Sequence, residues 1–292
     1  MTAGKIILDM VAERPDLDEK FFFIFGVPKS GTTWLQMLLN QHPNIFCRSE
    51  DQFMFFINTV PQMLTDYNKV LFRTDNKTAR QGPTLCENQD AEQGVAAIIR
   101  MILAKSLTRP GITRVGAKDN AIIQTLPLFS RIFTRSRFVF IVRDPRDVIV
   151  SSWFHNLRVE ENFMQRAVSM EIWTRKMTGR WYKDISHVRR ESEKMKDRFI
   201  TVRYEDMHLK PLETATQLFE FLDLDHDESL VSRCVDLASF NKLSGGRELG
   251  AESRDSFYRK GVVGDWKNHL DQSMNEIVLE GAGSVMMTFD YH

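Results

Sequence analysis

Residues 21–39 read Phe-Phe-Phe-Ile-Phe-Gly-Val-Pro-Lys-Ser-Gly-Thr-Thr-Trp-Leu-Gln-Met-Leu-Leu, an apolar strand that runs into a glycine turn and then a helix with no spare residues. An uninterrupted apolar run asks to be covered on both faces, as a strand of a parallel sheet is. Gly26 and Gly31 have the spacing of a phosphate-cradling loop, in which backbone N–H groups and the following helix N-terminus form an anion site. A nucleoside triphosphatase places Lys and then Ser/Thr directly after the second glycine. Here Thr32 and Thr33 follow Gly31, and the lysine stands earlier, at Lys29. The displaced lysine points away from magnesium-nucleotide chemistry and toward another phosphate ligand.

Further apolar or β-branched runs at 137–142 and 199–204, and a weaker one at 113–118, read as strands. Helical patterns fall between them at 32–41, 126–134 and 144–156, the last with Pro145 in its first turn, and again at 210–222. The stretch 161–195 reads as one or two helices, whose stripe of Met170, Trp173, Met177 and Trp181 is assigned to core packing. From 240 to 265 the periodicity vanishes and Gly245, Gly246, Gly250, Gly261 and Gly264 punctuate a charged segment. Long irregular segments of this kind are usually functional or disordered. The expectation is one α/β domain over 1–292, P-loop-like, with a central, mainly parallel sheet covered by helices on both faces. A short extension over about 1–20 precedes it, and an irregular cofactor-covering loop occupies about 240–265.

With 39 basic and 39 acidic side chains the formal charge is zero, so no general affinity for nucleic acid follows and any basic site is local. Cys47, Cys86 and Cys234 are widely spaced, which argues against a disulfide framework or a zinc site. Acidic residues interrupt the N-terminal fifteen residues before a signal core forms, and no segment approaches a membrane span. Cytoplasm is the expected compartment.

Pro28-Lys29-Ser30-Gly31-Thr32-Thr33-Trp34 resembles the 5′-phosphosulfate loop of the sulfotransferases that use 3′-phosphoadenosine 5′-phosphosulfate (PAPS). Arg143-Asp-Pro-Arg-Asp-Val-Ile-Val-Ser151 resembles the family's 3′-phosphate segment, in which a strand-end arginine and a helix serine grip that phosphate; arginine's planar fork suits the task. Tyr258-Arg259-Lys260-Gly261-Val-Val-Gly-Asp-Trp-Lys267 is similar to the Arg-Lys-Gly-x-x-Gly-Asp-Trp-Lys signature of cytosolic members, whose arginine, lysine and glycine close over the same phosphate. Tyr204 matches a tyrosine near the adenine, and Ser239 falls loosely where another nucleotide contact lies. The matches run in family order over roughly residues 21 to 270.

The resemblance implies sulfuryl transfer from PAPS to a hydroxyl or amine, without a metal. Lys29 would sit by the oxygen bridging phosphate and sulfate, and Lys118 would approach it from the next strand end. The base is where the chain departs from the family. Cytosolic members carry Lys-Thr-His, with the histidine as base; here Lys118 is followed by Asp119 and Asn120. Carbohydrate-sulfating and several bacterial members use a glutamate after the first helix instead, a place held by Glu50. Burial beside Phe53 or Phe56 is expected to tune that carboxylate. Asp51 and Asp119 are rivals, and Glu50 as a mere solvated loop residue is the structural alternative. Among the histidines only His155 is placed to face the cleft.

The competing functions are a catalytically inactive nucleotide-binding protein, suggested by the missing histidine, and a P-loop kinase, which lacks its Walker B aspartate because Arg143 stands at that strand end. The acceptor is a small molecule or a sugar. Phe53, Phe55, Phe56, Trp153, Phe154 and the phenylalanines from 133 to 140 either line its pocket or belong to the core. A dimer motif is only partly matched between Lys267 and Glu276, so a monomer or weak homodimer is expected, with neither nucleic acid nor membrane as partner.

Overall fold

The chain was analysed as a computed structural model that describes residues 15–78, 85–167, 169–253 and 255–292. The N-terminal residues used for the signal-peptide and extension readings lie, up to residue 14, outside the described residues.

In β1 (Phe21–Gly26) all six residues are buried. Successive side chains of a strand point to opposite faces. Phe21, Phe23 and Phe25 therefore enter one core, and Phe22 and Ile24 another. β4 (Arg137–Val142) does the same, with Phe138, Phe140 and Val142 on the first side and Val139 and Ile141 on the second. This two-sided burial accounts for the unbroken apolar runs. On the first face Phe23 meets Phe129, Phe133 and Phe138 at ring-centroid distances of 5.0, 4.9 and 5.5 Å. Truncating such a ring to alanine costs about 3–5 kcal/mol.

β2 (Ile45–Ser49), β3 (Arg114–Lys118) and β5 (Phe199–Arg203) complete a five-stranded sheet in the order β2-β3-β1-β4-β5, and every pairing is parallel. The second face is covered by α1 (Thr32–Leu39) and, further along the chain, by helices over residues 204–237. The first is covered by α2 (Met54–Thr78), α3 (Asn88–Ala104), α4 (Ile122–Ile132), α5 (Pro145–Val159) and α6 (Met170–Ser192). α7 (Tyr204–Leu209), α8 (Pro211–Phe221) and α9 (Glu228–Leu237) follow on the second face, and α10 (Gln272–Met286) returns to the first.

The architecture is the doubly wound α/β layer read from the sequence, with two differences among the strands. β2 was not anticipated, because its burial alternates and it lies at the sheet edge. Tyr204 opens α7 instead of closing β5. The 161–195 stretch holds a short turn at Phe163–Ala167 and the long α6, in which Trp173, Met177 and Trp181 are buried in the core.

Strand order reverses at β1, which has β3 on one side and β4 on the other. The crevice beyond the carboxyl ends of the strands at such a switch point is where open α/β sheets bind ligands. All five strands deliver a site candidate there: Lys29 after β1, Glu50 after β2, Lys118 at the end of β3, Arg143 after β4 and Tyr204 after β5.

Candidate active site

The loop between β1 and α1 folds as its residues require. Lys29 (φ 79°) and Gly31 (φ 97°) are both left-handed, and a Cβ on Gly31 would lie 2.5 Å from Tyr204 Cδ2, so only glycine fits. No side chain caps α1, whose N-cap is Gly31, and its first N–H groups are left for a ligand. Ser30 is fully buried, and among the described residues its Oγ has no hydrogen-bond partner.

Lys29, Gly31, Thr32, Thr33 and Trp34 open onto a cavity of about 540 Å³, whose walls also include Glu50, Arg143, Ser151, Tyr204, Arg259, Lys260 and Gly261. Burial lowers the Lys29 ammonium to about 8, with Arg158 and Lys118 adding like charge and Glu50 opposing them. The ammonium stands 5.2 Å from the Phe257 ring centroid.

Pro145 and the Asp144 cap start α5, the Asp144 side chain accepting from Arg146 N at 2.9 Å. Just before that cap, the Arg143 guanidinium lies 4.0 Å over the Tyr204 ring and donates to the carbonyls of Lys29 (3.3 Å) and Val262 (3.1 Å). Its Nε has no partner among the described residues. Buried Asp147, one helical turn further, accepts from the backbone N–H groups of Gly264 (2.8 Å) and Trp266 (3.0 Å) and so fixes the C-terminal loop against α5.

In that loop Arg259 and Lys260 both pair with Asp265, Lys260 Nζ at 2.6 Å. Burial opposes ionisation of Asp265, yet hydrogen bonds from Lys260, Arg259 and Asn268 hold its carboxyl well below the usual carboxylate range. Gly261 (φ 69°) lies against Phe240, where a Cβ would meet the ring at 2.3 Å. Ser239 itself is outside the cavity lining, whereas its neighbour Phe240 is in it.

The three carboxylates considered as base are separated by the structure. Asp51 is tied to Arg48 Nε at 2.7 Å. Asp119 is 8% exposed, caps the turn at Ala121 N (2.9 Å), and its carboxyl is raised by burial. Glu50 alone of the three lines the cavity. Both its backbone N–H and its Oε1 bind Lys118, the N–H to the carbonyl at 2.8 Å and Oε1 to Nζ at 2.7 Å, and its φ of 45° is left-handed. The anticipated burial of Glu50 is not found: its side chain is 57% exposed. Lys118, 3% exposed, is itself outside the lining and meets the cavity through Glu50.

Several lining residues were not singled out as site residues from sequence. His208 packs on Trp34 and Tyr204 at centroid distances of 4.5 and 4.8 Å, and burial, then Arg143, lowers its imidazole to about 4. Asn156, Arg180 and Leu243 also face the cavity, as do Trp173 and Met177 from the core stripe of α6. None of Phe53, Phe133, Phe138 and Phe140 lines it; these four are fully buried core.

A strand-end crevice with a displaced lysine, an uncapped helix N-terminus and two converging basic segments defines a site for a phosphorylated, anionic ligand. Residues 19–289 match the family described as the sulfotransferase domain. Cytosolic sulfotransferase 1 of Arabidopsis thaliana is 25% identical over 85% of this chain and 72% of its own. Mouse sulfotransferase 1E1 is 25% identical over 92% of this chain and 83% of its own. Among solved structures, mouse sulfotransferase SULT7A1 complexed with PAP superposes with a TM-score of 0.61 at 20% identity, covering 97% of this chain and 91% of that one. Retinol dehydratase in a complex with retinol and PAP superposes at 0.55 and 15% identity, covering 99% and 88%. The chain belongs to the sulfotransferase family. It is a PAPS-dependent sulfotransferase.

Proposed function

We propose that the chain moves the sulfuryl group of PAPS, in line, to a hydroxyl or amine of a small-molecule or carbohydrate acceptor. When bound, PAPS supplies a sulfuryl group activated by its link to phosphate. Lys29 sits at the bridging oxygen and offsets the charge that develops as the link breaks. Ser30, Gly31, Thr32, Thr33 and the start of α1 hold the 5′ end through N–H and hydroxyl donors. Arg143, Ser151, Arg259, Lys260 and Gly261 hold the 3′-phosphate, and Trp34, Tyr204 and the Ser239 segment surround the base. Glu50 takes the acceptor's proton, with Lys118 fixing its carboxylate.

One observation carries this reading: Lys29, Arg143 and the Arg259-Lys260 pair, more than a hundred residues apart in sequence, line one cavity together with Glu50. The residues fit the nucleotide at the atoms left over. Arg143 lines the cavity and its buried Nε lacks a protein partner among the described residues, as a donor kept for an anion does, whereas Ser30, whose Oγ also lacks one, is fully buried outside the lining. The polar lining by Glu50, Asn120, His155 and Asn156 supports a hydroxylated acceptor. Relatives named cytosolic support action in the cytoplasm. Among the described residues no helix is long and apolar enough to cross a membrane.

Thermal stabilisation by both PAPS and its desulfated product PAP, in the absence of magnesium, tests the donor assignment. Stabilisation by magnesium nucleotide alone refutes it. A screen of phenols, sterols, alcohols and sugars with radiolabelled donor then identifies the acceptor class, and failure of every class to accept label favours an inactive nucleotide-binding protein.

A further inference from the structure

His155 stands one helical turn beyond Ser151 on α5 and lines the same cavity as Lys29 and Glu50. Its Nδ1 is 3.3 Å from Nη2 of Arg158. A guanidinium has five donors, no acceptor, and does not deprotonate in proteins. Nδ1 must therefore be the accepting nitrogen, which leaves the ring's single proton on Nε2. Arg158 is itself held, since its Nη1 donates to the carbonyl of Asp255 at 3.0 Å, in the segment leading to Arg259. Burial, Lys29 and Arg158 together lower the imidazole to about 4, so the ring is neutral at pH 7.

A neutral ring whose one basic nitrogen is occupied is poorly placed to take a proton. What it offers the cavity is an N–H. The geometry points to His155 as a fixed, uncharged hydrogen-bond donor to the non-bridging oxygens of the sulfuryl group, beside the Lys29 ammonium, and not as the base. The assignment rests on the sulfotransferase reading above. It adds a directional donor where a third cation beside Lys29 and Arg158 would raise mutual repulsion.

The test compares the binding of PAPS and of PAP by calorimetry, without acceptor, for the parent chain and for His155→Gln and His155→Phe. PAP lacks the sulfuryl oxygens, so a donor to them acts on PAPS alone. The phenylalanine variant is expected to lose about tenfold in PAPS affinity with PAP affinity unchanged, while glutamine, which keeps an N–H, stays within about threefold of the parent for both. An unchanged PAPS-to-PAP ratio in His155→Phe overturns the proposal, as does an equal loss of both ligands. A parent chain that binds neither ligand refutes the donor assignment itself, which separates that failure from this one. Imidazole nitrogen resonances, assigned by comparison with His155→Gln, supply a reading that needs no ligand. Nδ1 should appear unprotonated and Nε2 protonated from pH 5.5 to 8, and a proton on Nδ1 overturns the assignment.

Discussion

The loop after β1 and the loop from Arg259 to Asp265 are both basic, both glycine-bearing and open to one cavity, yet they handle charge in opposite ways. Lys29 has no carboxylate within 4.0 Å among the described residues, and a strand and a helix hold its backbone on either side. Arg259 and Lys260 are already paired with Asp265, which also meets His269 at 3.3 Å, and Arg259 is paired with Glu252 at 2.8 Å as well. The first loop presents a charge with no ion-pair partner, offset only in part by Glu50, on a stiff frame, the arrangement that favours a charge developing at one point. In the proposed reading the second shares its cations between internal carboxylates and an incoming phosphate, which suits holding more than chemistry. The inference is that the first loop governs rate and the second governs affinity.

The largest effects should come from the rate side. Glu50→Gln is nearly isosteric and removes the proposed proton acceptor; turnover measured with labelled donor should fall about 10²–10⁴-fold while PAP affinity changes by less than about threefold. Unchanged turnover would remove Glu50 from the mechanism and break the link between the rate side and β2. Lys29→Met should lower kcat about 10²–10³-fold at saturating donor. A loss confined to KM would place Lys29 with the affinity loop and collapse the distinction.

On the affinity side, Arg259→Ala removes one charge-assisted contact of about 1.5–3 kcal/mol, so PAP should bind about 10–100-fold more weakly by calorimetry, with kcat at saturating donor nearly preserved. The loss should shrink at high salt. A kcat that falls as far as it does in Lys29→Met would mean that the two loops act as one.

The rate loop was legible in sequence because its constraints are local. Apolar run, glycine spacing and displaced lysine all lie within residues 21–39, and the backbone shape they dictate is the one found. The affinity loop was legible in its cations and glycines, but its anchor was not. Asp147 holds Gly264 across 117 residues, and Asp147 alone carries no sign of that partner. The setting of Glu50 was half legible. Glu50 lines the cavity, but its setting depends on β2, an edge strand of mixed polarity, and on Lys118 from β3, so an expectation of burial beside Phe53 gave way to an exposed carboxylate paired with a buried lysine. The phenylalanines failed as guides to the acceptor because most of them build the two-sided core. Trp173 and Met177 were read as core and are both core and cavity wall, a double role that helical periodicity alone does not distinguish.

The smallest effect sharpens the comparison most finely, since it depends on protonation alone. The proposed role of Lys29 needs the ammonium, and in the free protein that form is lost as pH rises through about 8. Donor kcat/KM, which reports the free enzyme, should be level below about pH 7 and decline toward a slope of about tenfold per unit above pH 8. At saturating donor the bound anions favour the charged lysine, so the decline in kcat should begin at higher pH than the decline in kcat/KM. Lys29→Arg keeps the positive charge throughout this range and should abolish the alkaline limb even where its geometry lowers the rate. A limb that persists in Lys29→Arg would assign the titration to another group in the cavity and leave the first loop's charge as constant as the second's.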